Sequence, residues 1–417
     1  MRKIRTNLLN PVAPTQTEYL ENHLIAWDDD GIQSVRPYDP TLDKDAQDRT
    51  DLLCLPGNID LHTHLSQHRI RGIYEPSLLD WLQTHVYPEE ALFADPAYAE
   101  KLSADFFQAL FAAGTTTGVI YTAPFRQACE LAFSRAKLGG ARAFIGMTLM
   151  DANSPENLMQ STDQAFRDSV ELHEAHHGSS PLLEFIFTPR FALSCSPKLM
   201  SRLGRFVQEN DAWLQTHLSE NPREVSEVLK LFNAESYTQV YEDFGLLTPK
   251  SILAHAIHLS EREMELLAER RCKIAHCPDS NFFLKSGEMD WRSLEAKGVQ
   301  IGLGSDVAAG SSLDMFYHAK MANYRQSAFS LGPELLFHTL TLGNARLLGL
   351  DARIGSLEAG KEADLCFRKL PNREIEPQNL LSALCFCSEE FPVVETVVAS
   401  KTVFCTLEGQ LHQSSWN

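Results

Sequence analysis

The stretch "SILAHAIHLSEREMELLAERRCKIAHCPDSN", residues 251–281, decides how this chain folds. "SILAH" and "CKIAH" are short apolar runs of the kind that form strands buried on both faces, and each ends on a histidine. "SEREMELLAERR" between them reads as a helix. Strand, helix and strand within about 30 residues make the unit from which parallel sheets are assembled.

The same alternation continues on both sides. "GTTTGVIYTAP", "ARAFIGMTLM", "LLEFIFTPRF" and "AWLQTHLSE" precede it and "VQIGLGSDVAAG" follows, with helix-like segments such as "SPENLMQSTDQAFRDSVELHEAHH" between them. Extended over residues 56–354, this texture predicts an α/β fold, a (β/α)8 barrel of the TIM type, whose usual length is about 250 residues or more. Neither GxGxxG nor GxxxxGK[ST] occurs, which argues against a doubly wound nucleotide-binding sheet. The ends differ. "HLIAWDDDGIQSV" reads as strand, turn, strand, and "ADLCFRKL", "VVETVVASKTVFC" and Gly409 repeat that texture near the other end. Residues 1–55 and 355–417 are therefore expected to be small β-sheet pieces.

Composition narrows the function classes. The chain has 417 residues, is 44% hydrophobic and carries a net charge of −18. That charge argues against nucleic acid or an anionic membrane as the main partner and leaves a small molecule open. "MRKIRTNLLNPVAPTQTE" contains no apolar core of a secretory signal, and no run of about 18 apolar residues suggests a membrane span. Nine cysteines lie scattered without paired spacing. A reduced, cytoplasmic setting is expected.

Polar residues gather at the strand ends, where a barrel carries its active site. His62 and His64 in "LPGNIDLHTHLSQHRIRG" are two apart and so share one face of a strand. His217 ends "AWLQTH", with Glu220 three residues on; His255 ends "SILAH"; Asp306 ends "VQIGLGSD", where Gly302 and Gly304 permit close backbone approach. Imidazoles and a carboxylate at the ends of several apolar strands suit a metal with an open coordination position, the mark of a catalytic site. Water on such a metal acts as hydroxide near neutral pH; Asp306 is placed to take its proton and Glu220 to pass protons to a substrate. Hydrolytic attack on an electrophilic carbon is expected. GxSxG and the H-x-E…P-C-x-x-C deaminase signature are both missing. Other histidines read more plainly. His173, His176 and His177 crowd a helix end where cations suit the dipole. His68 and His258 read as loop or supporting groups, His276 as structural or loop-ordering, and His85 is left without a role.

The order HxH, "QTHLSE", "LAH", "HCPDSN", "GLGSD" resembles the metal-dependent amidohydrolase superfamily, and "TLGNARLLGLDARIGSLEAGKEADL" resembles its return from barrel to a small β-sandwich built from both chain ends. Within it, Gln67 in "HLSQ", Arg190 and Phe191 in "TPRFALSC", and "LLDWL" through "YPEE" (78–90) resemble the guanine deaminase family. The resemblance implies one Zn2+ on His62, His64, His217 and Asp306, a site that iron or manganese also suits. It implies that His255 orients the water, that Glu220 shuttles protons, and that Gln67, Arg190 and Phe191 contact a purine. It implies a homodimer acting on a small-molecule purine, hydrolysing guanine to xanthine and ammonia. Three departures stand out: Asp279 where relatives commonly have Asn or another small residue, Ala309 for a more usual glycine, and "QHRIRG", which is similar to relatives acting on adenosine and triazines. An alternative substrate is therefore another aminated heterocycle: 8-oxoguanine, an adenosine-type compound, a pterin or an aminotriazine.

Overall fold

In the computed structural model residues 1–406 are described, and Gly409 lies outside them. Four strands open the chain: β1 (Arg2–Ala13), β2 (Gln16–Asp28), β3 (Gly31–Pro37) and β4 (Gln47–Pro56). The expected hairpin is β2–β3, with Asp28 opposite Gly31, whose φ of 109° only glycine adopts readily. Then come β5 (Asn58–His64), β6 (Thr115–Thr122), β7 (Arg142–Leu149), β8 (Leu183–Phe185), β9 (Thr188–Pro189), β10 (Leu214–Leu218), β11 (Ser251–His255), β12 (Lys273–His276) and β13 (Gln300–Leu303). The chain closes with β14 (Leu365–Lys369), β15 (Val393–Val398) and β16 (Lys401–Cys405).

β5 to β9 form one parallel sheet and β10 to β13 another, with helices between successive strands. Backbone hydrogen bonds join the two sheets at both edges. On one side Phe187 N–H donates to Trp213 O at 2.9 Å and Gln215 N–H to Phe187 O at 2.8 Å. On the other, Asp306 N–H donates to His62 O at 2.7 Å and His64 N–H to Val307 O at 3.0 Å. Inside, Ile59, Leu61, Val119, Phe144, Ile186, Ile252 and Ala275 pack as one buried cluster. Residues from most of these strands thus share a single interior.

Helices start where the local chemistry says. Ser260 and Glu263 form a capping box at the head of Glu261–Glu269. The segment expected as a helix over residues 154–177 begins only at Thr162, because Ser161 caps it and Pro155 with its neighbours forms a loop. Its three histidines do lie at the helix end, and His173 and His176 are not cations there. Burial pushes His173 down to about 4 and lowers His176, which stacks on Phe133 at 4.1 Å.

The chain ends form one seven-stranded sheet, ordered β16-β15-β14-β4-β1-β2-β3, in place of the two layers of the expected sandwich. β1 explains it: twelve residues long, it pairs antiparallel with β2 on one side and parallel with β4 on the other. The sheet coils strongly enough that Trp27 on β2 and Phe367 on β14, three strands away, meet at 6.2 Å over a core of their own. Among the described residues no helix is long and apolar enough to cross a membrane.

Candidate active site

Each strand delivers its polar group at its C-terminal end. β5 presents His62 and His64, with ring centroids 4.9 Å apart. In the β10–β11 register His217 stands beside Ala254 and Leu218 beside His255, so the two imidazoles stack at 5.5 Å. Asp306 follows β13 and is drawn against His62 by the backbone bond across the seam. Gly304 permits that approach, since a Cβ there would lie 2.7 Å from the His62 Cβ. Asp60, in the apolar strand, fastens the corner: its Oδ1 accepts from His62 N–H at 3.1 Å and Ser305 N–H at 2.9 Å. Asp306 and His255 both sit at positive φ, 48° and 73°. Non-glycine residues hold that conformation only where the surroundings impose it.

One ligand atom each from His62, His64, His217 and Asp306 lies within 4.8 Å of the others, and all four residues are buried. His217 Nδ1 lies 2.6 Å from the carbonyl O of Arg190 and must donate to it, which leaves Nε2 as a bare lone pair. That lone pair faces His64 Nε2 at 3.3 Å, and His62 Nε2 is buried without a hydrogen-bond partner. Asp306 Oδ1 is 3.2 Å from both His62 Nε2 and His64 Nε2. Burial pushes His64 down to about 4 and His217 well below the ordinary value, so both are neutral at physiological pH. Converging lone pairs and a carboxylate are the donor set that a divalent cation relieves, so these residues fit a metal ion.

Above the cluster lies a cavity. Gln67, Arg190, Phe191, Glu220 and His255 line it together with Trp81 and Leu82. Each residue expected from the sequence to hold the metal or touch the substrate thus lies in the ligand cluster or on this wall. His255 Nδ1 faces Asn281 Oδ1 at 2.8 Å; its Nε2, without a hydrogen bond, lies 3.5 Å from Glu220 Oε2 and 3.8 Å from Asp306 Oδ2. Asp306 therefore gives one oxygen to the ligand cluster and turns the other toward His255. Burial, and then the charge of Asp306, pushes Glu220 up to about 8, although Ser286 Oγ donates to it at 3.1 Å. The carboxyl keeps its proton at neutral pH.

The remaining histidines lie elsewhere. His276 is fully buried edge-on to Trp291 at 5.8 Å, with neither ring nitrogen hydrogen-bonded, so it orders no loop through its ring. The loop is held by Asp279 instead, whose Oδ2 accepts from Ser311 N–H at 2.7 Å and Ser311 Oγ–H at 2.8 Å. His85 sits half-exposed near Glu75 and does not line the cavity. His258 bonds Ser286 O at 2.8 Å, and His68 packs edge-on against Phe106.

Residues 53–403 match the amidohydrolase family. The chain belongs to the amidohydrolase family. It is 36% identical over 321 residues, 75% of this chain and 72% of the relative, to the guanine deaminase of Escherichia coli K12. A guanine deaminase from C. acetobutylicum, solved with guanine in its active site, superposes with a TM-score of 0.89 at 27% identity, over 97% of this chain and all of that one. An adenosine deaminase from Xanthomonas campestris with bound zinc superposes at 0.83 and 26% identity, over 96% of this chain and 93% of that one.

One buried residue of this amidohydrolase site went unread in the sequence. Glu90, on the helix Tyr87–Ala91, is fully buried and accepts from Arg190 Nη1 at 2.6 Å, Gln67 Nε2 at 3.0 Å and Ser66 Oγ at 3.3 Å. The segment 78–90 marked a pocket wall, but nothing in it set Glu90 apart from the adjacent Glu89. The only available signal was two carboxylates beside a proline in an otherwise apolar stretch.

Proposed function

We propose that this chain is a zinc-dependent guanine deaminase, hydrolysing guanine to xanthine and ammonia. One observation carries the reading: the ligand cluster, the buried Glu220 and the Gln67–Arg190 pair open onto a single cavity. The guanine deaminases among its relatives support it.

His62, His64, His217 and Asp306 would hold the zinc. Bound there, zinc supplies hydroxide from water at neutral pH. The protein's own groups do the rest. Arg190 and Gln67 bind the polar edge of the purine, and Phe191 walls the ring. His255, fixed through Asn281, aims its Nε2 at the gap between Glu220 and Asp306. Glu220 donates its proton to guanine N3 as a C–O bond forms at C2. Now a carboxylate, it takes the proton of the newly added hydroxyl and passes it to the amine, so the C2–N bond breaks and ammonia leaves.

The wider framework of this reading is a closed eight-strand barrel over residues 56–354, supported by the backbone bonds at both seams, beside a terminal unit of residues 1–55 and 355–417. Nine free cysteines support a reducing, cytoplasmic setting. A homodimer follows from the resemblance and is checked by sedimentation.

The test is ammonia release from guanine, 8-oxoguanine, adenosine, a pterin and an aminotriazine, with elemental analysis of the same sample. Guanine as the preferred substrate with one zinc per chain is the expected result. Turnover of another ring with guanine left intact would sink the proposal.

A further inference from the structure

Glu90 joins the two side chains assigned to the purine edge, and its chemistry dictates what each can offer. An ionised carboxylate only accepts hydrogen bonds. The group that Gln67 turns toward Glu90 is therefore its NH2, and Gln67 Oε1, which takes no hydrogen bond from any described residue, remains for a ligand. Arg190 Nη1 donates to Glu90 and lies 3.9 Å from Met150 Sδ, while that guanidinium, stacked 5.3 Å over Tyr87, keeps its Nε and Nη2 groups unspent on any described side chain. Both side chains line the cavity beside the ligand cluster.

The wall thus presents a donor, from Arg190, and an acceptor, from Gln67. The complementary edge is an acceptor beside a donor: a lactam, as in O6 and N1–H of guanine. An amidine edge, with an exocyclic NH2 beside a bare ring nitrogen, meets the wrong partner at both positions. We propose that Glu90 is the positioning residue that fixes this polarity, so that the site selects a lactam edge over an amidine edge. This rests on the guanine reading and adds to it the residue that sets its specificity.

2,6-Diaminopurine is the matched probe, because it keeps the C2 amine of guanine and exchanges the lactam for an amidine. Glu90→Gln is the matched variant. A glutamine there can accept from Arg190 and donate to Gln67, which turns the Gln67 amide and presents NH2 to the ligand. Glu90→Asp keeps an acceptor-only group.

The wild type is expected to favour guanine over 2,6-diaminopurine by at least about 100-fold in kcat/KM, the scale set by mispaired buried hydrogen bonds. Glu90→Gln narrows that ratio at least about tenfold, chiefly through KM, while Glu90→Asp retains it. The same two ligands are titrated against Glu220→Gln and Glu220→Gln/Glu90→Gln, so that preference is read without turnover. A wild type that does not distinguish the two purines overturns the proposal even if no Glu90 variant folds. So does a ratio that Glu90→Gln leaves unchanged. A lactam preference in binding that Glu90→Gln abolishes, in a protein that does not deaminate guanine, upholds the role of Glu90 and overturns the deaminase reading instead.

Discussion

Glu220 sits at the junction of two demands, burial to keep a proton and contact with the cavity to deliver it. Its surroundings hold the acid form at neutral pH, with a pKa of about 8. Glu220→Gln preserves shape and hydrogen bonding while removing the transferable proton. Its kcat is expected to fall about 10²- to 10⁴-fold, the usual worth of a positioned acid, while guanine affinity changes by no more than about threefold. Steady-state ammonia release and equilibrium titration check the two halves. A variant that keeps its kcat removes Glu220 from the proton path. At this scale the candidate ligands and the neighbouring His255 could be read from the sequence. His62, His64, His217, His255 and Asp306 each terminate an apolar run, and in a parallel sheet a polar residue there has nowhere to go but the open end of the strands. Glu90 was illegible for the opposite reason. It lies in a broken helical stretch, where a glutamate reads as solvent-facing and only the tertiary contact with Arg190 reveals it as buried.

Elements carry their own constraints. Gly304 lets the end of β13 press against β5 at His62. Gly304→Ala forces His62 aside, so zinc affinity is expected to drop about tenfold to a hundredfold, the range seen when a ligand loses its support. Competition with a chromophoric chelator measures it, and unchanged affinity would show that the two strands have room to spare. The helix Pro222–Phe232 poses an electrostatic problem at its start. Glu224 Oε2 accepts the N–H groups of Glu220 and Asn221, yet burial above all pushes Glu224 up to about 7. The folded protein therefore binds a proton that the unfolded chain releases near its ordinary value. The associated stability is full at acid pH, is lost as pH rises through about 7, and is flat beyond. Glu224→Gln stays neutral and keeps an acceptor oxygen. Relative to wild type it should gain on the order of 3 kcal/mol between pH 4.5 and pH 8, read from urea unfolding at the two pH values. A parallel pair of pH profiles would refute the assignment.

At the scale of the whole molecule, one buried cation ties the terminal sheet to the site-bearing strands. Arg142 on β7, 2% exposed, makes paired bonds to Asp364 at 2.9 and 3.0 Å and a third to Glu362 at 2.7 Å. Asp364 Oδ1 also accepts from Ala399 N–H at 2.7 Å, and its backbone carbonyl accepts from Gly57 N–H at 2.9 Å, just before β5. Arg142→Ala leaves that carboxylate buried and unpaired, a loss of about 3–5 kcal/mol in denaturant unfolding. A change below about 1 kcal/mol would mean that the contact bears little of the junction. Alternation of strands and helices made the α/β portion readable, because each strand–helix unit is local. The terminal sheet was readable only as strands. Its pairing joins Leu55 to Cys366 and Leu8 to Cys54, partners that no local pattern links.

That pairing also sets a schedule for the ribosome. β4 can join β1 early, but its other edge waits for β14, which emerges after every residue of the ligand cluster has been made. Until then "LLCLP", nearly all of it apolar, stands as an open strand edge on a nascent chain, the kind of template that recruits other unpaired strands. The catalytic half of the protein is therefore complete in sequence while its N-terminal sheet is still adhesive. The last part of synthesis is what converts a sticky intermediate into a finished enzyme.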